Sequence, residues 1–307
     1  MSTISPLRAT GIGFAAILLW SGLALLTVLT AGIPPFELLA LSFGVAFVAS
    51  LIVIGRRGAA AFRAWRQPWP VWASGFAGIF FYHALYFFAL KAAPPVEASL
   101  INYLWPLLIV IFSALVARET LQPRQVLGAL LGLGGTAVVL LTRDQGGGPG
   151  GAGVGSAPLA GYAAAAGGAL VWSLYSVNNR RFKEVPGEVM GGICGLVAAA
   201  GLVCHLLFEQ SVAPGLSAWA CIVGLGLGPV GLAFFAWDYA TKHGRLALLG
   251  VLSYFAPLLS TALLIASGQA PARPAVLVSA LLIIGGAALA GLGSRKSAET
   301  VAESAPI

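Results

Sequence analysis

The chemistry in this chain gathers where an apolar run is interrupted. From Glu97 to Ala117 it reads Glu-Ala-Ser-Leu-Ile-Asn-Tyr-Leu-Trp-Pro-Leu-Leu-Ile-Val-Ile-Phe-Ser-Ala-Leu-Val-Ala. That run is long and apolar enough to span a bilayer, yet Asn102, Tyr103, Trp105 and Pro106 sit in its middle. An amide, a phenol, an indole and a helix breaker are tolerated at that depth where protein or a water-filled cavity, and not hydrocarbon, surrounds them. The figure returns about 151 residues later as Ser253-Tyr254-Phe255-Ala256-Pro257-Leu258-Leu259.

A proline within a helix lacks the N–H that would bond the carbonyl four residues back. Pro106 and Pro257 therefore free the carbonyls of Asn102 and Ser253. Two freed acceptors beside an amide and a hydroxyl could hold an ammonium or a substrate N–H. The competing reading is a kink satisfied by neighbouring helices. Because both prolines recur in register, the expectation is that the two carbonyls face one shared cavity. His83 is an ionisable side chain in mid-span, on one helical face with Tyr82 and Tyr86. It suits proton coupling or carboxylate binding as well as it suits hydrogen-bonded packing. Trp20, Tyr82, Tyr86, Tyr103, Trp105, Trp172 and Tyr254 would line a cavity with flat apolar faces and polar rims, joined by Tyr175 and Trp237. Trp65, Trp69, Trp72 and Trp219, near span ends, read as interfacial anchors.

Other chemistry finds little support. Glu37, Glu97, Glu209 and Asp238 sit near span ends, which argues against a carboxylate proton relay. Cys194, Cys204 and Cys221 lack metal-ligand spacing and read as small apolar residues. Gly226-x-Gly228-x-x-Gly231 fits a dinucleotide pattern but lies inside an apolar span, so close helix packing explains it better. With no Ser-His-Asp, zinc or nucleotide signature, no enzyme activity, cofactor or metal is expected.

The elements that must position these residues are membrane helices. Of 307 residues, 59% are hydrophobic and 9% charged, and the mean hydropathy is +0.92. Soluble domains carry about 25% charged residues. Apolar stretches near 10–30, 36–54, 70–90, 97–117, 124–141, 158–178, 189–208, 217–238, 246–266 and 274–293 predict ten spans. The first follows a short leader carrying only Arg8 and reads as a retained anchor helix and not as a cleaved signal. With the N-terminus cytoplasmic, only Lys91, Arg143 and Arg273 of the 17 Lys and Arg residues fall outside. That bias puts both termini inside and accounts for the net charge of +7 without nucleic acid.

The two halves of the chain match. At an offset of 151, Lys91 pairs with Lys242, Tyr103 with Tyr254, Pro106-Leu107-Leu108 with Pro257-Leu258-Leu259, and Gly134-Gly135 with Gly285-Gly286. At 152, Trp20-Ser21 pairs with Trp172-Ser173. Five spans per half is an odd number, so the second half enters from the opposite side. The fold class is therefore all-α integral membrane: ten transmembrane helices as two inverted-topology five-helix repeats. The expected divisions are 1–145 for the first repeat, 146–157 for a Gly-rich periplasmic linker, 158–294 for the second repeat and 295–307 for a cytoplasmic tail.

This arrangement resembles the drug/metabolite transporter superfamily in its EamA-type branch. The run Asn102-Tyr103-Leu104-Trp105-Pro106 is similar to that of the YddG-type aromatic amino acid exporters. So are Trp172-x-x-Tyr175, Ala236-Trp237 with His243-Gly244, and Ser253-Tyr254-Phe255 ahead of Pro257. The resemblance implies an inner-membrane exporter of amino acids, aromatic ones included, with a cavity built from spans 1, 3, 4, 6, 8 and 9. Independently, an uncharged aromatic path suits a zwitterion with an apolar side chain, and it lacks a buried cation for a strongly anionic substrate. Export of drugs or other metabolites is the alternative, and an embedded enzyme or scaffold a third reading. The expected partners are an amino acid substrate and the lipid bilayer, with the chain acting as a monomer.

Overall fold

The computed structural model describes residues 5–30, 32–93, 95–117, 121–142, 158–268 and 271–303. The Gly-rich linker 146–157, Arg118 and Arg143 lie outside them. Among the described residues all regular structure is helical. The α-helices are α1 (Pro6–Ser21), α2 (Leu23–Val28), α3 (Pro35–Arg56), α4 (Trp69–Ala92), α5 (Pro95–Asn102), α6 (Trp105–Ala117) and α7 (Pro123–Leu141). They continue as α8 (Pro158–Asn178), α9 (Val189–Phe208), α10 (Leu216–Leu227), α11 (Ala233–His243), α12 (Leu246–Leu252), α13 (Phe255–Ala266) and α14 (Pro274–Glu303). Helix α14 thus runs on through the first part of the expected tail.

Prolines open many of these helices, at positions where the missing N–H would have no intrahelical partner anyway. Pro6 follows Ser5, whose hydroxyl accepts from the Arg8 N–H at 3.4 Å. Pro106 and Pro257 follow the same rule, which revises the picture of a proline inside a continuous helix. The chain stops at Asn102 and restarts at Trp105, and it stops at Leu252 and restarts at Phe255. Each proline lies in the first turn of the new helix. The Ser253 carbonyl accepts the Ala256 N–H at 3.1 Å, and Ser253 is fully buried. That carbonyl is therefore satisfied locally and is not left free by Pro257, contrary to the expectation from the sequence.

Among the described residues, seven helical stretches are long and apolar enough to cross a membrane: Pro6–Thr27, Pro35–Arg56, Trp69–Leu90, Ala98–Val116, Val189–Phe208, Leu216–His243 and Leu246–Ala266. Pro274–Ala290 is a shorter apolar helix. Within Leu216–His243, residues Gly228–Leu232 form a π-helical turn, a feature common where a helix carries function.

The most extensive packing joins the first half of the chain to the second. Helix α3 lies on α9, α4 on α8, α1 on α11, α6 on α12 and α7 on α14. Small residues make the close crossings. A Cβ on Gly128 would stand 2.5 Å from the Gly286 carbonyl, and one on Gly286 would stand 2.5 Å from the Gly128 carbonyl. A Cβ on Gly250 would lie 2.7 Å from the Pro106 carbonyl, so the two broken helices cross at their breaks. Without a hydrophobic force between helices in lipid, such backbone approaches supply dispersion contact instead.

Candidate functional site

Helices α1, α4, α6, α8 and α11 converge on one cluster of rings, with Trp172 of α8 at its centre. Its ring lies 5.7 Å from Trp20, 5.2 Å from Tyr82, 6.2 Å from Trp105, 5.5 Å from Tyr175 and 6.1 Å from Trp237. These separations, mostly edge-on or tilted, are those in which aromatic quadrupoles attract, at about 0.5–1.5 kcal/mol per pair beyond burial. Trp20 and Trp172 match under the 152-residue offset, and here they touch.

The indoles are held by polar bonds as well as packing. The Trp20 Nε1–H donates to the Pro229 carbonyl at 2.9 Å, within the π-helical turn. Trp237, fully buried, donates from Nε1 to Ser176 Oγ at 3.1 Å. Ser173 Oγ donates to the Trp105 carbonyl at 3.1 Å, tying α8 to the start of α6.

At the first break, Asn102 is 3% exposed. Its Nδ2 donates to the Tyr82 hydroxyl at 3.2 Å, while its Oδ1 accepts no hydrogen bond among the described residues. Gly168 of α8 brings the neighbouring backbone close: a Cβ there would stand 3.4 Å from that oxygen. Tyr82 stacks on Tyr86 at 6.1 Å, and the Tyr86 hydroxyl lies 3.2 Å from Ser99 Oγ. Tyr103 occupies the turn between α5 and α6, its N–H donating to the Ser99 carbonyl at 2.9 Å.

His83 contacts the Ile79 carbonyl through Nδ1 at 2.7 Å. A carbonyl only accepts, so the neutral ring carries its proton on Nδ1. Its ring meets Phe43 at 5.5 Å, Phe87 at 6.1 Å and Phe234 at 6.3 Å. Phe43 and Phe234 were not among the expected site residues. Phe234 also contacts Trp20 at 5.9 Å and Trp172 at 5.9 Å. Phenylalanine in an apolar span carries no signal of its own; only the neighbouring Trp237 marks this helix.

The structure keeps Ser253 and Tyr254 apart from this cluster. Tyr254, fully buried, packs with Val110, Ala129, Val251, Leu258 and Ile283 in a second core. Its ring lies over Gly132, where a Cβ would meet it at 2.4 Å. The cluster is most open at Trp20, Tyr82, His83 and Tyr86, which are half-buried. Its other end is closed by a buried polar network. Lys242 Nζ donates to Asp238 Oδ2 at 2.8 Å and to the Val185 carbonyl at 3.1 Å, and Asn179 Nδ2 donates to Asp238 Oδ1 at 3.0 Å.

Comparison with known proteins accounts for this architecture. The EamA-like transporter family matches twice, over residues 8–141 and 159–292. The chain belongs to that family. It is a membrane transporter assembled from two copies of one unit. The aromatic amino acid exporter YddG of Ancylobacter novellus is 51% identical over 293 residues, covering 95% of this chain and 100% of the relative. That of Salmonella typhimurium is 27% identical over 94% of this chain and 98% of its own. One crystal structure, 50% identical, covers 95% of this chain and 99% of its own at a TM-score of 0.87.

Proposed function

We propose that this transporter exports aromatic and other neutral amino acids across the bacterial inner membrane, binding them at the ring cluster beside Asn102. The observation that carries the reading is the juxtaposition of a buried, unpaired amide oxygen with the rings around Trp172. A buried acceptor left unpaired costs about 1–3 kcal/mol. A substrate ammonium would recover that at Asn102 Oδ1 and add attraction to the indole and phenol faces, about 0.5–2 kcal/mol when desolvated. An aromatic side chain would join the edge-to-face packing. The relatives named as aromatic amino acid exporters support the same substrate class.

Alternating access between two inverted five-helix repeats supplies the motion. Ten spans, with divisions at 1–145, 146–157, 158–294 and 295–307, agree with the doubled family match and with the packing of first-half helices on second-half helices. Both termini lie in the cytoplasm by the distribution of Lys and Arg. In that orientation the open side of the cluster faces outward. The Asp238–Lys242–Asn179 network then seals the cytoplasmic side, as it would after substrate release. The protein acts as a monomer.

Flux of radiolabelled phenylalanine, threonine and a cationic drug in proteoliposomes tests the reading. Saturable phenylalanine flux is expected. Flux of the drug alone would favour export of other compounds, and flux of none would overturn the transporter mechanism.

A further inference from the structure

A groove of about 480 Å³ lies on the flank of the bundle between α4, α6 and α8, sharing Tyr175 with the ring cluster. Its walls are apolar: Phe81, Phe112, Leu115, Val116 and Leu174 among them, with Gly78 and Tyr175 at its floor. Phe81, Leu115, Val116 and Leu174 are exposed, so this flank faces the lipid. At one end the lining turns polar, with Ser74, Asn178 and Arg181. Asn178 Nδ2 donates to Ser74 Oγ at 3.1 Å. Among the described residues no acceptor engages the Arg181 guanidinium, whereas neighbouring Arg180 donates to the Gly244 carbonyl at 2.7 Å.

We propose that this groove is a binding site for one acyl chain of an anionic phospholipid of the cytoplasmic leaflet, whose phosphate pairs with Arg181. Length supports the assignment. From Val171 to Arg181 the lining covers ten residue steps along α8 and its terminal turn, about 15 Å at ~1.5 Å each. That is half of the roughly 30 Å hydrocarbon core, the reach of one leaflet. Charge supports it too. Arg181 stands at the end of the protein where Lys and Arg gather, and guanidinium is well suited to bidentate phosphate pairing. Anionic headgroups concentrate at that surface, and each juxtamembrane cation there is worth about 1 kcal/mol. The floor gives the site a route to the transport path, because Tyr175 touches Trp172 at 5.5 Å.

Native mass spectrometry of the full-length protein, titrated separately with phosphatidylglycerol and phosphatidylcholine, tests the site. In the wild type phosphatidylglycerol should bind at least fivefold more tightly than phosphatidylcholine. Arg181→Gln should weaken binding of phosphatidylglycerol at least fivefold, and of phosphatidylcholine, whose phosphate charge is offset by its choline cation, by less than about twofold. Ala77→Phe, which fills the groove from α4, should weaken both lipids at least threefold. Arg57→Gln, at an arginine paired with Glu188, should change neither. Unchanged phosphatidylglycerol affinity in Arg181→Gln would overturn the headgroup assignment. Unchanged affinity for both lipids in Ala77→Phe would overturn the groove. These are binding readouts, so they stand or fall apart from the substrate assignment above.

Discussion

At Asn102 the broken helix of the first half presents an unpaired amide oxygen to a group of rings; at Ser253 and Tyr254 the corresponding break of the second half is fully buried, and its Tyr254 hydroxyl, also unpaired among the described residues, is enclosed in a close-packed core. The two figures match in sequence, both restart a helix just ahead of a proline, and they cross where Gly250 meets the Pro106 carbonyl. Their neighbours differ. The first break lies against α8, where Gly168 and Trp172 leave the amide beside an aromatic surface. The second lies against α7 and α14, where Gly132 admits the Tyr254 ring into a close-packed core. A duplicated element can thus keep its backbone role, ending and restarting a helix at mid-depth, while the surroundings of its buried polar atoms diverge: Asn102 Oδ1 lies beside the rings, and the Tyr254 hydroxyl lies in a close-packed core.

Substitutions can break this contrast. The largest effect is expected at the shared hub: Trp172→Ala should lower phenylalanine flux per folded protein more than tenfold, by removing the ring that touches Trp20, Tyr82, Trp105 and Trp237. At the second break, Gly132→Val should act on folding. The added carbons meet the Tyr254 ring, and overpacking of this kind costs about 1–3 kcal/mol. Thermal unfolding in detergent should show a clear drop in midpoint, with flux per folded molecule within about twofold of wild type. Asn102→Leu should weaken phenylalanine binding about fivefold to tenfold, near the ~1–1.4 kcal/mol of one hydrogen bond, without lowering the unfolding midpoint. Smallest of all, Tyr254→Phe should leave flux within about twofold and stability within about 1 kcal/mol, since the ring and its packing remain. A large flux loss there, with stability intact, would place the second break at the substrate.

Much of the cluster was legible in the sequence. Trp20, Tyr82, Tyr86, Trp105, Trp172, Tyr175 and Trp237 stand out because an indole or phenol in mid-membrane needs a polar partner, and the structure supplies Pro229 and Ser176 for two of them. Phe43 and Phe234 were invisible, since nothing distinguishes a phenylalanine facing a site from one facing lipid. Tyr254 was misleading for the opposite reason. Its match to Tyr103 marks a shared backbone ancestry, whereas the role of a side chain depends on which helix packs against it. The π-helical turn at Gly228–Leu232 also left no clear trace, because its glycines fit close packing equally well. Asp238 was read as a span-end residue; its burial with Lys242 and Asn179 depends on contacts between distant segments.

Phenylalanine binding to the mirrored pair Asn102→Leu and Ser253→Ala, measured by scintillation proximity on folded protein, bears most directly on the claim that one break serves the substrate and the other the fold. The account predicts at least fivefold weaker binding in Asn102→Leu and a change of less than about twofold in Ser253→Ala. Equal losses in both, or a greater loss in Ser253→Ala, would contradict it.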